Sequence, residues 1–257
     1  MSCHIITFFS VKGGVGKTTS CANIGLVLGK MNIKTLIIDM DPIGSLSSNF
    51  LLSNINGSKQ LLENKITSFQ DVVFKNVFNN IDVIPTTIDL SFMFMDNDIL
   101  KYEENLKENI KKLKEKYDII LIDVASSWSN LNRMVLSITD SLLLPILCTP
   151  YAIDTISKIL NIIRNIQIER NPNLKIAGVF INMFDKRKKD SMVYLSELAK
   201  IFGNNLYDSI IPNDISITKL QKNNKFVVES SAWTPSAIKF SELTKEIYQK
   251  LKKHKSE

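Results

Sequence analysis

The 257-residue sequence predicts an α/β fold, a mostly parallel twisted sheet covered by helices on both faces. Apolar runs rich in β-branched residues alternate along the chain with segments of helical periodicity, as in repeated βαβ units. Several runs, such as residues 119–122 (IILI) and 142–145 (LLLP), are apolar at consecutive positions. Such strands suit the centre of a parallel sheet, because helices cover both of its faces.

The predicted strands stop where turn residues or acids begin. The first, His4–Phe9, runs into a glycine-rich turn, and the second, Thr35–Asp39, ends in an acidic residue. Ile81–Ile84 stops at Pro85, where a missing N–H matters little. The remaining predicted strands are Asp118–Asp123, Ser141–Leu147, Lys175–Asn182 and Leu206–Ile211.

Helices are predicted in the gaps between these strands. Residues 17–30 form an amphipathic stretch, and residues 100–117 place Leu106, Ile110 and Leu113 on one face at helical spacing. The Lys and Glu residues of that second segment are interpreted as a solvated face. Further helical segments are predicted at about 152–169, 188–202, 214–222 and 235–252. No repeat or linker divides the chain, so residues 1–257 are predicted to be a single domain.

Composition excludes several classes of protein. A hydrophobic content of 44% with 23% charged residues is incompatible with a disordered chain. No apolar run approaches the roughly 18 residues of a membrane span, and no signal peptide is recognisable. Cys3, Cys21 and Cys148 form no CxxC pair, which argues against disulfides and cysteine-ligated metal. We therefore expect a soluble, cytoplasmic protein. Its net charge of +6 suits an anionic partner but does not identify which one.

The strongest functional signal is GGVGKTT at residues 13–19. Glycines let backbone N–H groups turn inward around phosphate oxygens, and the following helix adds its positive dipole end. Lys17 is expected on the β- and γ-phosphates, and the Thr18 hydroxyl on Mg²⁺. Val11 stands where the common pattern has its first glycine. A glycine turn without a ligand would leave Lys-Thr-Thr at a helix start unexplained.

With Lys12 added, the sequence KGGVGKTT resembles the deviant Walker A motif of the ParA/MinD group of P-loop ATPases. Residues 39–45 (DMDPIGS) resemble the DxDPQG[NS] segment of that group, and residues 117–123 resemble its Walker B strand. Residues 182–185 and 211–213 fall where related sequences carry base-side motifs. The resemblance covers essentially the whole chain and is closest to small Soj and plasmid ParA partition ATPases.

This resemblance implies a role for each site residue. Asp41 would orient or activate the attacking water, and Lys12 would reach across a dimer to the partner's nucleotide. Asp123 would hold Mg²⁺ through water together with Thr18, and Asp39 is a further candidate ligand. The implied contacts to ATP or ADP are Gly13, Gly14, Val15, Gly16, Lys17, Thr18 and Thr19 at the phosphates, and Asn182, Met183 and Pro212 at the base. Asn182 could equally cap a turn.

Two segments depart from the pattern of the group. Ile43 stands where Gln is usual, and residues 124–127 (VASS) replace [TC]-P-P-S. Neither change removes a phosphate or metal ligand. Both lie beside switch regions, so they bear on the hydrolysis rate and on coupling to a partner, and they leave a non-catalytic nucleotide-binding scaffold as an alternative.

The resemblance also implies partners: a second copy of the chain in an ATP-bound dimer, duplex DNA of the nucleoid, and a ParB-type protein that stimulates an otherwise slow ATPase. The chain begins almost at the first strand, so no N-terminal helix-turn-helix domain is expected. DNA binding should then be sequence-independent and salt-dependent. Candidate cations are Lys186, Arg187, Lys188, Lys189, Lys219, Lys222 and Lys225. Each cluster alone could be a solvated helix end.

Two other functional classes are alternatives to a partition ATPase. A MinD-like membrane-associated positioning ATPase needs an amphipathic anchor after its last helix. Leu243, Ile247 and Leu251 are instead spaced like the core-facing stripe of a packed helix, so no membrane binding is expected. A metabolic P-loop enzyme or iron–sulfur carrier is disfavoured by the missing cysteine pairs and by Lys12 with the DMDP segment.

Overall fold

The computed structural model describes residues 3–52, 55, 57–93, 99–229 and 234–253. Its strands are β1 (His4–Phe8), β2 (Thr35–Met40), β3 (Phe74–Phe78), β4 (Ile81–Ile84), β5 (Ile119–Val124), β6 (Ser141–Ile146) and β7 (Lys175–Ile181). They form one sheet in the order β3-β4-β2-β5-β1-β6-β7. Only the β3–β4 pair is antiparallel among these strands.

Helices cover both faces of this sheet. They are α1 (Lys17–Lys30), α2 (Ser45–Asn49), α3 (Gly57–Glu63), α4 (Asp89–Phe92), α5 (Ile99–Lys114), α6 (Asn130–Ile138), α7 (Ala152–Glu169), α8 (Ser191–Phe202), α9 (Ile215–Gln221) and α10 (Pro235–Lys253). On β5, Ile120 and Ile122 face an apolar cluster shared with α3, α5, α6 and α7, whereas Leu121 faces a cluster shared with α1 and α10. The predicted fold class is thereby confirmed. Among the described residues, no helix has the length and apolarity needed to cross a membrane.

The predicted strand at Leu206–Ile211 is wrong. Leu206 forms an isolated bridge with Val179, and the backbone bonds then stop before Ile211 N–H donates to the Ile181 carbonyl at 2.9 Å. Tyr207 N–H donates to the Val179 carbonyl at 2.8 Å, so four residues of this segment span only two residues of β7, and a regular parallel ladder cannot form. Within this irregular stretch the Glu246 carboxylate on α10 accepts the Asp208 N–H at 2.9 Å.

Five short elements were not predicted: β3, α2, α3, α4 and α6. For α6 a local signal exists, because Ser129 accepts a hydrogen bond from Asn132 N–H at 3.3 Å and so caps the helix. In β3, residues 74–78 (FKNVF) are partly exposed and pair only with β4, so the strand lacks the apolar run of a central strand.

The topology brings the acidic strand ends together. In the parallel register, Asp123 of β5 lies opposite Phe8 of β1 on one side and Asp39 of β2 on the other. The glycine-rich loop (residues 12–19) leaves the same edge of the sheet, since it follows β1 and leads into α1. Open α/β sheets bind ligands outside the carboxyl ends of their strands.

Candidate functional site

The glycine-rich loop has a backbone that depends on glycine at two positions. Gly14 (φ 71°) and Gly16 (φ 85°) adopt the left-handed conformation. A Cβ atom at Gly16 would also collide with the side-chain amide of Asn182, which donates a hydrogen bond to the Val15 carbonyl at 2.8 Å. No side chain caps the N-terminus of α1, so its first N–H groups face the loop.

Lys17 is a buried cation at the start of α1. Only 7% of the residue is exposed, and its ammonium donates a hydrogen bond to Ser126 Oγ at 2.5 Å. Burial lowers the pKa of Lys17, while the nearby Asp123 and Asp41 carboxylates act in the opposite direction. A cation that is desolvated in this way interacts strongly with an anion placed beside it.

Asp39 is a buried acid that organises the turn after β2. Its carboxylate accepts hydrogen bonds from Ser47 N–H (2.9 Å), Ser47 Oγ (2.7 Å) and Asp41 N–H (3.1 Å). Burial raises the pKa of Asp39 to about 6, despite the hydrogen bonds from Ser47, which lower it. Asp41 itself is half-buried and accepts a hydrogen bond from Ile43 N–H at 3.1 Å. Asp39 therefore positions Asp41.

Asp123 is completely buried, yet neither of its carboxylate oxygens accepts a hydrogen bond within 3.5 Å from the described residues. Burial, and then the neighbouring Asp39, raises the pKa of Asp123 well above its usual range; the nearby Thr18 hydroxyl and Lys17 lower it. A buried carboxylate without a partner is costly unless a cation completes its surroundings.

These residues fit a magnesium ion that is held partly by phosphate. Mg²⁺ is usually bound by one or two carboxylates together with substrate phosphates and water. Across the described ranges, no group of three or more His, Cys, Asp or Glu side chains could hold a metal. Asp123 offers free oxygens near Thr18, whereas the oxygens of Asp39 accept protein hydrogen bonds. Thr18 and Asp123 are accordingly the better candidate ligands.

Lys12 lies at the outer end of the loop. Its ammonium is 6.0 Å from the ring centroid of Tyr151, the residue before α7, and that distance is at the limit for a cation–π contact. The Lys12 N–H donates to Ser10 Oγ at 3.2 Å. Because Tyr151 is 68% exposed, the two side chains together lie at the surface beside the loop.

The three residues predicted to contact the base of the nucleotide have different surroundings in the structure. Asn182 is buried beneath the loop, and its Oδ1 accepts the Met183 N–H at 3.0 Å, so both ends of its amide are used within the protein. Met183 (φ 50°) lines a cavity of about 190 Å³. Thr149, Phe184 and Asn213 are among the other residues of that cavity. Pro212 pairs with Phe184 through an isolated bridge.

All seven candidate DNA-binding cations are exposed. Lys186, Arg187, Lys188 and Lys189 lie in the loop before α8, which begins at Ser191 rather than at the predicted residue 188. Arg187 pairs with Asp185 through two hydrogen bonds of 2.9 Å. The other three belong to the basic segment (residues 219–225), which comprises the end of α9 and the turn after it: Lys219, Lys222 and Lys225.

Sequence reasoning missed three residues that contact the site. Ser47 binds Asp39, Ser126 binds Lys17, and Gln221 Nε2 donates to Thr19 Oγ1 at 2.9 Å. Ser126 follows an acidic strand end by three residues, a spacing that could have indicated it. The sequence around Gln221 carries no comparable signal.

Comparison with known proteins gives matches along the chain. A family model described as an AAA domain matches residues 3–176. Soj of Treponema pallidum, a chromosome-partitioning ATPase, is 30% identical over 243 residues, which cover 94% of this chain and 96% of that protein. Soj of Bacillus subtilis, a sporulation initiation inhibitor protein, is 28% identical over 246 residues, 95% of this chain and 97% of that protein.

A solved structure shares the fold over the same length. A Borrelia burgdorferi B31 protein crystallised with AMPPNP superimposes with a TM-score of 0.80 and is 27% identical, covering 97% of this chain and 99% of its own. The agreement therefore extends beyond the segment that the family model matches.

Proposed function

This chain belongs to the ParA/Soj family of partition ATPases and carries its AAA domain, and from that premise we propose that it is an ATP-switched DNA partition protein. ATP and Mg²⁺ bind at the glycine-rich loop, and the ATP-bound chains pair as a sandwich dimer. The dimer binds duplex DNA of the nucleoid without sequence preference. A ParB-type partner stimulates the slow hydrolysis of ATP to ADP and phosphate, which resets the cycle.

The observation that carries this proposal is the fully buried carboxylate of Asp123, which lies near Lys17 and Thr18 but accepts no hydrogen bond within 3.5 Å from the described residues. A structural glycine turn would need neither a desolvated cation nor a buried acid in such surroundings. A nucleotide triphosphate with its metal supplies the missing anion and cation together. The AMPPNP bound to the Borrelia burgdorferi protein of the same fold supports this assignment.

The chain contributes position and electrostatics to phosphoryl transfer. Loop N–H groups and Lys17 would hold the phosphates, while Thr18 and, through water, Asp123 would hold the metal. When bound, Mg²⁺ neutralises charge on the phosphate oxygens. Asp41 orients the attacking water from a turn that Asp39 fixes through its hydrogen bonds.

Lys12 is the residue proposed to act between two chains. Two facing triphosphates repel each other unless cations lie between them. The Lys12 ammonium lies beside the loop next to the exposed Tyr151, and this accessible position supports a role between two chains. Each ATP then completes the site of the other chain, which couples nucleotide binding to dimerisation.

One hydrogen bond connects the basic segment to the nucleotide site, and an aromatic contact holds the residue that follows the segment. Gln221, at the end of α9, donates to Thr19 in the first turn of α1. Phe226 stacks on Phe50, just after α2, with ring centroids 4.8 Å apart. These contacts support an ATP-dependent DNA surface, because residues 221 and 226 pack against elements that border the glycine-rich loop and the turn after β2.

The test is binding of the protein to a non-specific DNA duplex with ATP, with ADP and without nucleotide, in the presence of Mg²⁺. Binding should require ATP, weaken steeply with salt, and be lost in Lys17→Ala. Lys101→Ala, at an exposed position on α5, serves as the matched control. Equal binding without nucleotide would contradict the switch.

The alternative of a MinD-like membrane ATPase receives no support from α10. Leu243, Ile247 and Leu251 are buried in the core that α10 shares with α1. The stripe is therefore not available to a lipid surface in this conformation. Sedimentation with anionic liposomes and ATP separates the two functions, since the partition protein should stay in the supernatant.

A further inference from the structure

The segment between β5 and α6 lies against the glycine-rich loop. Ser126, three residues after Asp123, accepts the hydrogen bond from the Lys17 ammonium at 2.5 Å. A Cβ atom on Gly13 would lie 3.9 Å from Ser126 Oγ, so the hydroxyl also faces the opening of the loop. Lys17 and Ser126 are 109 residues apart in the chain and meet only because β1 and β5 are adjacent.

The position of Ser126 is fixed from the next helix. The side-chain amide of Asn132 on α6 donates to the carbonyls of Ala125 (2.9 Å) and Ser127 (2.6 Å) on either side of it. Asn132 is 1% exposed, and its own N–H is held by Ser129. These hydrogen bonds hold the backbone on both sides of Ser126 and so fix the position of its hydroxyl relative to Lys17.

Hydrogen-bonding capacity determines what this hydroxyl can do. An ammonium has three donors, and a serine hydroxyl has one donor and two acceptor sites. When Lys17 donates to Ser126, the ammonium keeps two N–H groups for phosphate oxygens, and the hydroxyl keeps its own proton. Contact with Ser126 and contact with phosphates are thus compatible.

We propose that Ser126 is a positioning residue for the ATPase: it holds the Lys17 ammonium toward the terminal phosphates and offers its own proton to the γ-phosphate. This inference rests on the proposed function. Residues 124–127 (VASS) replace the proline-containing segment of resembling sequences, so the hydroxyl is a feature of this chain. The altered segment therefore adds a hydroxyl group to the site.

The first measurement is the affinity of the intact protein for AMPPNP and for ADP, with Mg²⁺, by calorimetry. Ser126→Ala should weaken AMPPNP binding about tenfold, because a hydrogen bond to a charged group is lost. ADP binding should change less than about twofold, because the γ-phosphate is absent. Ser126→Thr, which keeps a hydroxyl, should restore AMPPNP affinity. Ser127→Ala, at the exposed neighbouring position, should behave as wild type.

The second measurement is steady-state hydrolysis at saturating ATP, where Ser126→Ala should lower kcat and Ser126→Thr should recover it. Equal losses of AMPPNP and ADP affinity, or tighter AMPPNP binding in Ser126→Ala, would overturn the proposal. Ser126→Cys provides a second variant of similar shape with a weaker hydrogen-bonding group. If the wild-type chain binds neither nucleotide, the proposed function fails; if it binds both and Ser126→Ala binds them equally well, only the role of Ser126 fails.

Discussion

The Gln221 side-chain amide donates a hydrogen bond of 2.9 Å to Thr19 Oγ1, across 202 residues of sequence. Thr19 directly follows Thr18 in the first turn of α1, and Gln221 directly precedes Lys222 in the basic segment. One hydrogen bond therefore joins the part of the loop expected at the phosphates to a surface proposed to bind DNA.

Gln221→Leu should uncouple these two sites. Removing the amide frees Thr19 Oγ1 but leaves the packing of Phe226 on Phe50 in place. We expect AMPPNP affinity within about threefold of wild type, and a loss of most of the ATP-dependent gain in DNA binding. The measurement is fluorescence anisotropy of a labelled duplex with and without ATP. Gln249→Leu, on the exposed side of α10, is the control, and an unchanged ATP response in Gln221→Leu would refute the coupling.

Asp41→Ala should trap a dimer in the presence of ATP and Mg²⁺. The variant keeps Lys17, Thr18 and Asp123, so nucleotide binding persists while hydrolysis slows. Size-exclusion chromatography with light scattering should give twice the mass of the 29.1 kDa chain. The double variant with Lys12→Ala should remain monomeric, whereas Asp71→Ala, at an exposed position, should elute as wild type. A dimer that persists without Lys12 would contradict its proposed bridging role.

The stability of the ligand-free protein should fall with pH because of Asp39. Its pKa rises from 3.8 to about 6 on folding, so the folded state holds this proton more tightly. The corresponding contribution, about 3 kcal/mol, is fully present below pH 4 and is lost as the pH rises past 6. Urea unfolding of wild type and Asp39→Asn between pH 4 and 7 measures it. The wild-type advantage over the variant should shrink across this window; a constant difference would mean that Asp39 does not titrate there.

Substitutions in the basic segment should change the salt dependence of DNA binding. Each phosphate contact contributes about 0.9 to the slope of log K against log salt concentration. Replacing Lys219, Lys222 and Lys225 by Gln should weaken ATP-dependent binding and lower that slope by up to about 3. The affinity for AMPPNP should not change, which separates this effect from damage to the loop. An unaltered slope would mean that these three lysines do not contact DNA phosphates, which leaves the cations at residues 186–189 as the candidates.

Several parts of the site could be predicted because the residues that form them are adjacent in the sequence. The glycine-rich loop requires left-handed glycines, a lysine and a hydroxyl at fixed spacing, and the structure places Gly14 and Gly16 in that conformation. Asp39 and Asp123 close the predicted apolar strands, one residue before the observed strand ends, and in the parallel sheet they lie opposite each other. These features depend on local periodicity and short motifs.

Local residue patterns were insufficient to predict elements whose structure depends on contacts with distant parts of the chain. Residues 206–211 were predicted as a strand, but from Tyr207 to Ile211 four residues lie against two residues of β7, so the register of a parallel ladder is lost. The short helix α6 was likewise missed, although it holds Asn132, which braces Ser126. Periodicity over 5–9 residues is too weak to distinguish such elements from loops.

Local residue patterns were enough to predict the fold class, the glycine-rich loop and the acids near the strand ends. The contacts that complete the site became visible only in the folded chain: Ser126 on Lys17, Asn182 on Val15 and Gln221 on Thr19. A hydrogen bond between residues more than 100 positions apart depends on strand order and helix packing. Neither of these is fixed by the residues adjacent to the bond.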